Sequence, residues 1–142
     1  MVTPRRRVLQ VTHMSHWTGR ALPARRLCEL AMQRDVTTVV DGAPISARCR
    51  VSFRENDCDY LVTSLHRWLG APVGNGMLVV KEELIDRRWP LLAPFDPPPL
   101  RVDKLDHWNL GTYNSALQAV SSPAVRSTRR SGHVRSTDGS RT

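Results

Sequence analysis

The run Asp59-Tyr60-Leu61-Val62-Thr63-Ser64-Leu65-His66-Arg67-Trp68-Leu69-Gly70-Ala71-Pro72 decides how this sequence is read. Asp59 to Thr63 is rich in aromatic and β-branched residues and predicts a strand. Ser64 to Gly70 then reads as a polar connection, with turns marked by Gly70, Pro72, Gly74 and Gly76. A strand that stops at a cluster of Ser, His and Arg is a pattern that can carry chemistry.

Working outward, the same pattern recurs. Val36-Thr37-Thr38-Val39-Val40 is a near-continuous β-branched run, as in a strand buried on both faces, and it ends at Asp41-Gly42. Val8 to His13 is another β-rich run, followed by a polar, Gly-containing loop to Leu22. Pro23 opens a helical stretch, a favoured place for proline, in which Ala24, Leu27, Leu30 and Ala31 share a face. Met77 to Val80 is a fourth strand, and Lys81 to Trp89 predicts a short helix with Lys81 facing solvent. Pro90 to Pro99, with five prolines, predicts an extended surface segment, and Asn114 to Val120 is helical. Strands alternating with helices predict an α/β fold with an open, mainly parallel sheet and right-handed crossovers. Ligands of such sheets sit at the carboxyl ends of the strands. Three polar clusters fall there: His13 to His16, Asp41, and Ser64 to Arg67.

Charge narrows the function classes. The chain of 142 residues carries a net charge of +8, yet residues 1–7 hold +3 and residues 121–142 hold +4, leaving +1 for the body. A folded nucleic-acid binder clusters its Lys and Arg on a face of the core, so no nucleic-acid partner is expected. Cys28, Cys49 and Cys58 are odd in number and widely spaced, with no C-x-x-C, so no metal site is expected. Three free thiols and no long apolar run predict a cytoplasmic protein without a membrane span. Ser121 to Thr142, rich in Arg, Ser and Thr, predicts a disordered tail.

The lysine-segment pattern of class V aminotransferases, a strand then Ser-x-His-Lys and a Gly/Pro turn, resembles Asp59 to Pro72. Val39-Val40-Asp41-Gly42-Ala43 resembles that family's cofactor-aspartate strand end. Thr18 to Pro23 resembles the loop before it, and Asn109 to Asn114 a Gly-Thr segment beyond the lysine region. All four occur in family order over residues 8–120, and isopenicillin-epimerase-like members and cysteine desulfurases are the nearest subfamilies. The resemblance implies the large domain of a fold type I enzyme, pyridoxal 5′-phosphate as cofactor, a small amino-acid substrate and a homodimer. It implies that Asp41 faces the ring nitrogen and that Ser64 and His66 donate to the phosphate. It puts His16 near the phenolic oxygen or substrate, with Ser15 and His13 equally acceptable by chemistry. It takes Thr112 to a neighbouring subunit's phosphate, although a helix N-cap accounts for Thr112 as well. A turn aspartate before Gly42 is the plain alternative for Asp41.

Three departures limit the expectation. Arg67 stands where the family has its Schiff-base lysine. A guanidinium keeps its proton and cannot attack a carbonyl, so covalent cofactor binding is not expected. Pro44 replaces a family Gln or His facing the cofactor. The family's phosphate loop, its ring-stacking residue and its small domain find no counterpart in the sequence. The expected organisation is therefore a basic extension at 1–7, a partial cofactor domain at 8–120 and a tail at 121–142. The expected function is that of an enzyme fragment inactive alone. The alternative is a non-catalytic protein binding a phosphate ligand through Ser64–Arg67, or nucleic acid through its basic ends.

Overall fold

A computed structural model describes residues 3, 5–43, 52–85, 87 and 114–130. Four strands, β1 (Val8–Thr12), β2 (Thr37–Asp41), β3 (Tyr60–Ser64) and β4 (Gly76–Val80), form one sheet in that order. β1, β2 and β3 are parallel, and β4 runs back antiparallel to β3. The described helices are α1 (Ala24–Met32), α2 (Phe53–Asn56), α3 (Leu65–Trp68), α4 (Glu82–Ile85) and α5 (Ser115–Arg130). The α/β reading with a mainly parallel open sheet is the fold observed.

α1 covers one face of the sheet, and its sequence explains how closely. Pro23 sits immediately before its first residue, and Ala24, Cys28 and Ala31, all small, recur on one stripe and are buried. Ala24 and Cys28 pack with Val11, Val40, Cys58 and Leu61 into the main core. Burial pushes the Cys58 thiol up to about 11, with the neighbouring Cys28 adding to the shift, so these thiols act as small apolar core groups. On the outer side of α1, Arg25 and Arg26 bridge Glu29 at 3.1 and 3.2 Å.

β2 is buried on one face only. Thr38 and Val40 are buried, while Thr37, Val39 and Asp41 alternate with them and are half-buried. On that second face, Val8 of β1, Val62 of β3 and Leu78 of β4 are exposed, although Tyr60 of β3 is buried. The expectation of burial on both faces is corrected here: a continuous apolar run does not by itself supply a second covering layer.

The chain past Val120 also departs from expectation. α5 runs through Arg130 and so holds 121–130 in a helix, despite Pro123 inside it. Tertiary packing overrides the composition. Ala124 and Val125 close over Leu65, Leu69 and Ala71 in a second small core, and Thr128 Oγ1 donates to the Leu69 carbonyl at 3.0 Å. Residues 131–142 and the proline-rich stretch at 90–99 lie outside the described residues.

Candidate cofactor site at the carboxyl edge of the sheet

Strand register brings three chain segments to one edge. Thr12 pairs with Asp41, and Asp41 with Val62. The ladder continues one residue further, with His13 N donating to the Asp41 carbonyl at 2.9 Å and Gly42 N to the Val62 carbonyl at 2.8 Å. Side chains alternate along a strand. Asp41 and Ser64 therefore emerge on the open face, and His13 and Thr63 on the α1 face, either side of Gly42.

Asp41 is half-buried, and its Oδ1 accepts from Ala43 N at 2.9 Å. This Asx turn holds the carboxylate at the strand end. Ser64 occupies the N-cap position of α3 in an extended conformation without its side chain capping the helix. Arg67, one turn on, is exposed. Between them, His66 Nδ1 lies 3.1 Å from the Asn75 carbonyl, which also accepts from Leu65 N at 3.1 Å. Asn75 is buried, and its side-chain amide donates to the Leu117 carbonyl of α5 at 2.7 Å. The turn therefore rests on Asn75, and Asn75 on α5. Gly76 permits this arrangement, since a Cβ there would stand 3.1 Å from the Thr63 carbonyl. A cavity of about 420 Å³ opens beside it, lined by Leu65, Asn75, Gly76, Met77, Leu117 and Ser121.

The histidines separate. His16 is exposed in the loop after β1, with its ring 5.3 Å from that of Trp17. Ser15 is used within the same loop, its hydroxyl accepting from Thr18 N. His13 is more enclosed, and its Nδ1 is buried without a hydrogen-bond partner. Burial lowers its pKa, because a low-dielectric site disfavours the imidazolium. Thr63 Oγ1 is a second buried polar atom without a partner. Unsatisfied buried polar atoms are uncommon, and each costs stability. Thr63 and Asn75 were not singled out from sequence. Period-two alternation from Leu61 could have flagged Thr63, but nothing local marks Asn75. Thr112, Pro44 and Lys104 lie outside the described residues.

Lys81 corrects the expectation of a solvent-facing residue. Its side chain is 20% exposed, and its ammonium lies 2.9 Å from Asp57 and 3.5 Å from Asp59. Burial pulls its pKa down, but the hydrogen bond and charge of Asp57, with Asp59, outweigh that and hold it above the ordinary lysine value. Lys81 N donates to the Asp59 carbonyl, at the start of β3. Ser64, at the other end of β3, is five residues away, or about 16 Å of extended strand. The one lysine among the described residues thus stands at the opposite edge from Asp41, protonated and paired. No group of His, Cys, Asp and Glu among the described residues could hold a metal ion.

Comparison with known proteins places the chain in one family. The family model described as aminotransferase class-V matches residues 1–94, so the Gly-Thr resemblance at 109–114 falls beyond it. An isopenicillin N epimerase of Amycolatopsis lactamdurans is 45% identical over 80 residues, covering 56% of this chain and 20% of that protein. A probable cysteine desulfurase of Xylella fastidiosa (strain Temecula1 / ATCC 700964) is 32% identical over 93 residues, covering 66% of this chain and 22% of that protein. Among solved structures, a cysteine desulfurase of Escherichia coli superposes with a TM-score of 0.74 at 26% identity, over 90% of this chain and 34% of that one. The chain spans about a fifth of the length of the curated relatives it matches.

Proposed function

This chain belongs to the aminotransferase class-V family, and from that premise we propose that it is a cofactor-domain segment able to hold pyridoxal phosphate without a covalent link and catalytically incompetent in this form. Family members use that cofactor, which when bound supplies an electron sink for a carbanion next to an amine. The non-covalent half of the donor set fits it. Asp41 supplies a carboxylate for a ring nitrogen, and Ser64 and Arg67 a hydroxyl and a cation for a phosphate. The covalent half does not fit, because no amine among the described residues stands near that edge.

The observation that carries this reading is the position of Lys81. An amine nucleophile must shed its proton within reach of the carbonyl. Lys81 is held protonated by Asp57 and Asp59, a strand length from Asp41. Arg67 occupies the place in the turn, but its guanidinium stays charged and delocalised. Arg67 then orients a phosphate or carbonyl oxygen by charge, and its guanidinium does not accept a proton from a substrate carbon. In the whole protein, the substrate would be a small amino acid and the assembly a dimer, as the family resemblance implies.

The test is pyridoxal phosphate followed by borohydride and peptide mapping. The unaltered chain is expected to retain cofactor by dialysis but to yield no adduct in the 59–72 peptide, and Arg67→Lys to yield one at residue 67. Turnover of an amino acid by the unaltered chain, with an adduct on Lys81 or Lys104, would overturn the reading.

A further inference from the structure

We propose that the free lateral edge of β1 is a pairing surface whose occupant is β1 of a second copy of this chain, the two strands running antiparallel. Among the described strands β1 pairs with β2 alone and so forms one side of the sheet. The register fixes which backbone groups are spent. Thr37 N donates to the Arg7 carbonyl and His13 N to the Asp41 carbonyl, one at each end of the β1–β2 ladder. With Val8 opposite Thr37 and Thr12 opposite Asp41 in a parallel ladder, Arg7, Leu9, Val11 and His13 turn their backbone groups to β2. The N–H and C=O groups of Val8, Gln10 and Thr12 therefore point away from the sheet, a template for another strand. Nothing within β1 guards them. Val8 to Thr12 holds no charge, no proline and no bulge, and Val8 is 57% exposed. β4, on the other side of the sheet, is guarded: Asn75, just before it, is tied to Leu117 of α5, and Lys81, Glu82 and Glu83 follow it.

The free groups are self-complementary. Placed antiparallel about Gln10, they match Val8 with Thr12, Gln10 with Gln10 and Thr12 with Val8 of the second copy, and each such pair exchanges two backbone hydrogen bonds. Charge selects the same arrangement. Arg5, Arg6 and Arg7 are exposed at the start of β1, and the antiparallel pair keeps the two triplets at opposite ends of the paired strands. Arg7 then lies opposite His13 of the second copy, whose imidazole burial holds toward its neutral form. Two parallel copies would bring the triplets side by side, and like charges on adjacent strands destabilise. Side chains agree on both faces. On the open face Gln10 meets Gln10 across the dyad, one amide donating to the other's carbonyl, with Val8 beside Thr12. On the α1 face half-buried Leu9 meets Val11. The product joins two four-stranded sheets into one, and the interface is isologous and closed. One strand wide, it buries far less than the about 800 Å² per partner of a stable complex, so the pairing is reversible.

The test uses the full chain carrying Cys49→Ser, with Cys28 and Cys58 left buried in the core. The antiparallel register puts the two Gln10 Cα atoms about 5.5 Å apart, within disulfide reach. It puts the two Val8 Cα atoms four residues out of step, about 14 Å apart and beyond that reach. Gln10→Cys is expected to form a disulfide dimer under mild oxidation. Val8→Cys and Thr12→Cys are each expected to stay uncross-linked alone and to join when mixed. Sedimentation equilibrium of the unaltered chain is expected to find a reversible monomer–dimer equilibrium. Gln10→Pro removes the outward N–H without touching a β1–β2 bond, and Gln10→Lys sets like charges on the dyad. Each is expected to weaken dimerisation about ten-fold or more, with the circular dichroism of Gln10→Lys unchanged. A chain that stays monomeric at every concentration, Val8→Cys joining to itself as readily as Gln10→Cys, or undiminished association of Gln10→Lys would overturn the inference. Assemblies growing beyond the dimer would mean that β1 meets β4 of the next copy, and would overturn it too. None of these outcomes touches the cofactor reading, which the borohydride test decides.

Discussion

The two edges of the same sheet are built to opposite rules. At the amino edge a hydrogen-bonded and charged network links β2, the start of β3 and the end of β4. Thr38 N and Oγ1 donate to Asp59 Oδ2 at 2.8 and 3.0 Å, Asp59 N donates back to Thr38 Oγ1 at 2.9 Å, and Lys81 neutralises Asp57 and Asp59. At the carboxyl edge, His13 Nδ1 and Thr63 Oγ1 are buried without partners. A closed network ties β2 to β3 and contributes stability. An edge with unanswered polar atoms gives stability up. The charged amine at the amino edge is therefore structural.

The comparison breaks most visibly at Asp59. Asp59→Ala strips Thr38 N and Oγ1 of their acceptor and leaves Lys81 with Asp57 alone. A loss of about 2–3 kcal/mol in urea unfolding is expected. A loss below about 0.5 kcal/mol would show the network to be ornamental.

A matched pair sharpens the contrast. Thr38→Val removes a hydroxyl that both donates and accepts, and about 1–2 kcal/mol should be lost. Thr63→Val removes a hydroxyl with no partner, and stability should hold or rise by up to about 1 kcal/mol. If Thr63→Val costs as much as Thr38→Val, the carboxyl edge is already satisfied and the distinction between the edges fails.

The smallest effect is in pH. The folded-state pKa of His13 lies below its ordinary 6.5. Above pH 6.5 both folded and unfolded chains hold it neutral, and its contribution is fully present. As pH falls below 6.5 the unfolded chain binds the proton first, so stability drops until the folded value is passed. Lys81 works in the other direction, since its folded value is raised. Its contribution is complete below 10.5 and lost as pH climbs through the folded value. His13→Gln is expected to remove part of the acid-side slope in thermal melts between pH 7 and 5 and leave the alkaline side alone.

Much of this was written in local sequence. The strands at 8–12, 37–41, 60–64 and 76–80 follow from β-branched runs between turns, because residues that crowd a helix turn fit a pleated surface. The placement of Asp41 and Ser64 at strand ends follows too, as does the absence of an amine at residue 67. Tertiary structure alone decided the rest. It chose Cys28 over Leu30 for the core, since only small side chains let α1 approach the sheet. It held 121–130 in a helix through contacts with Leu65, Leu69 and Ala71, which are distant in sequence. It ran β4 backwards and so carried Lys81 to the amino edge, where Asp57 and Asp59 wait, and set Asn75 beneath His66. Period and propensity act over a few neighbours, whereas the protonation and reach of a side chain depend on groups that meet only when the chain has closed.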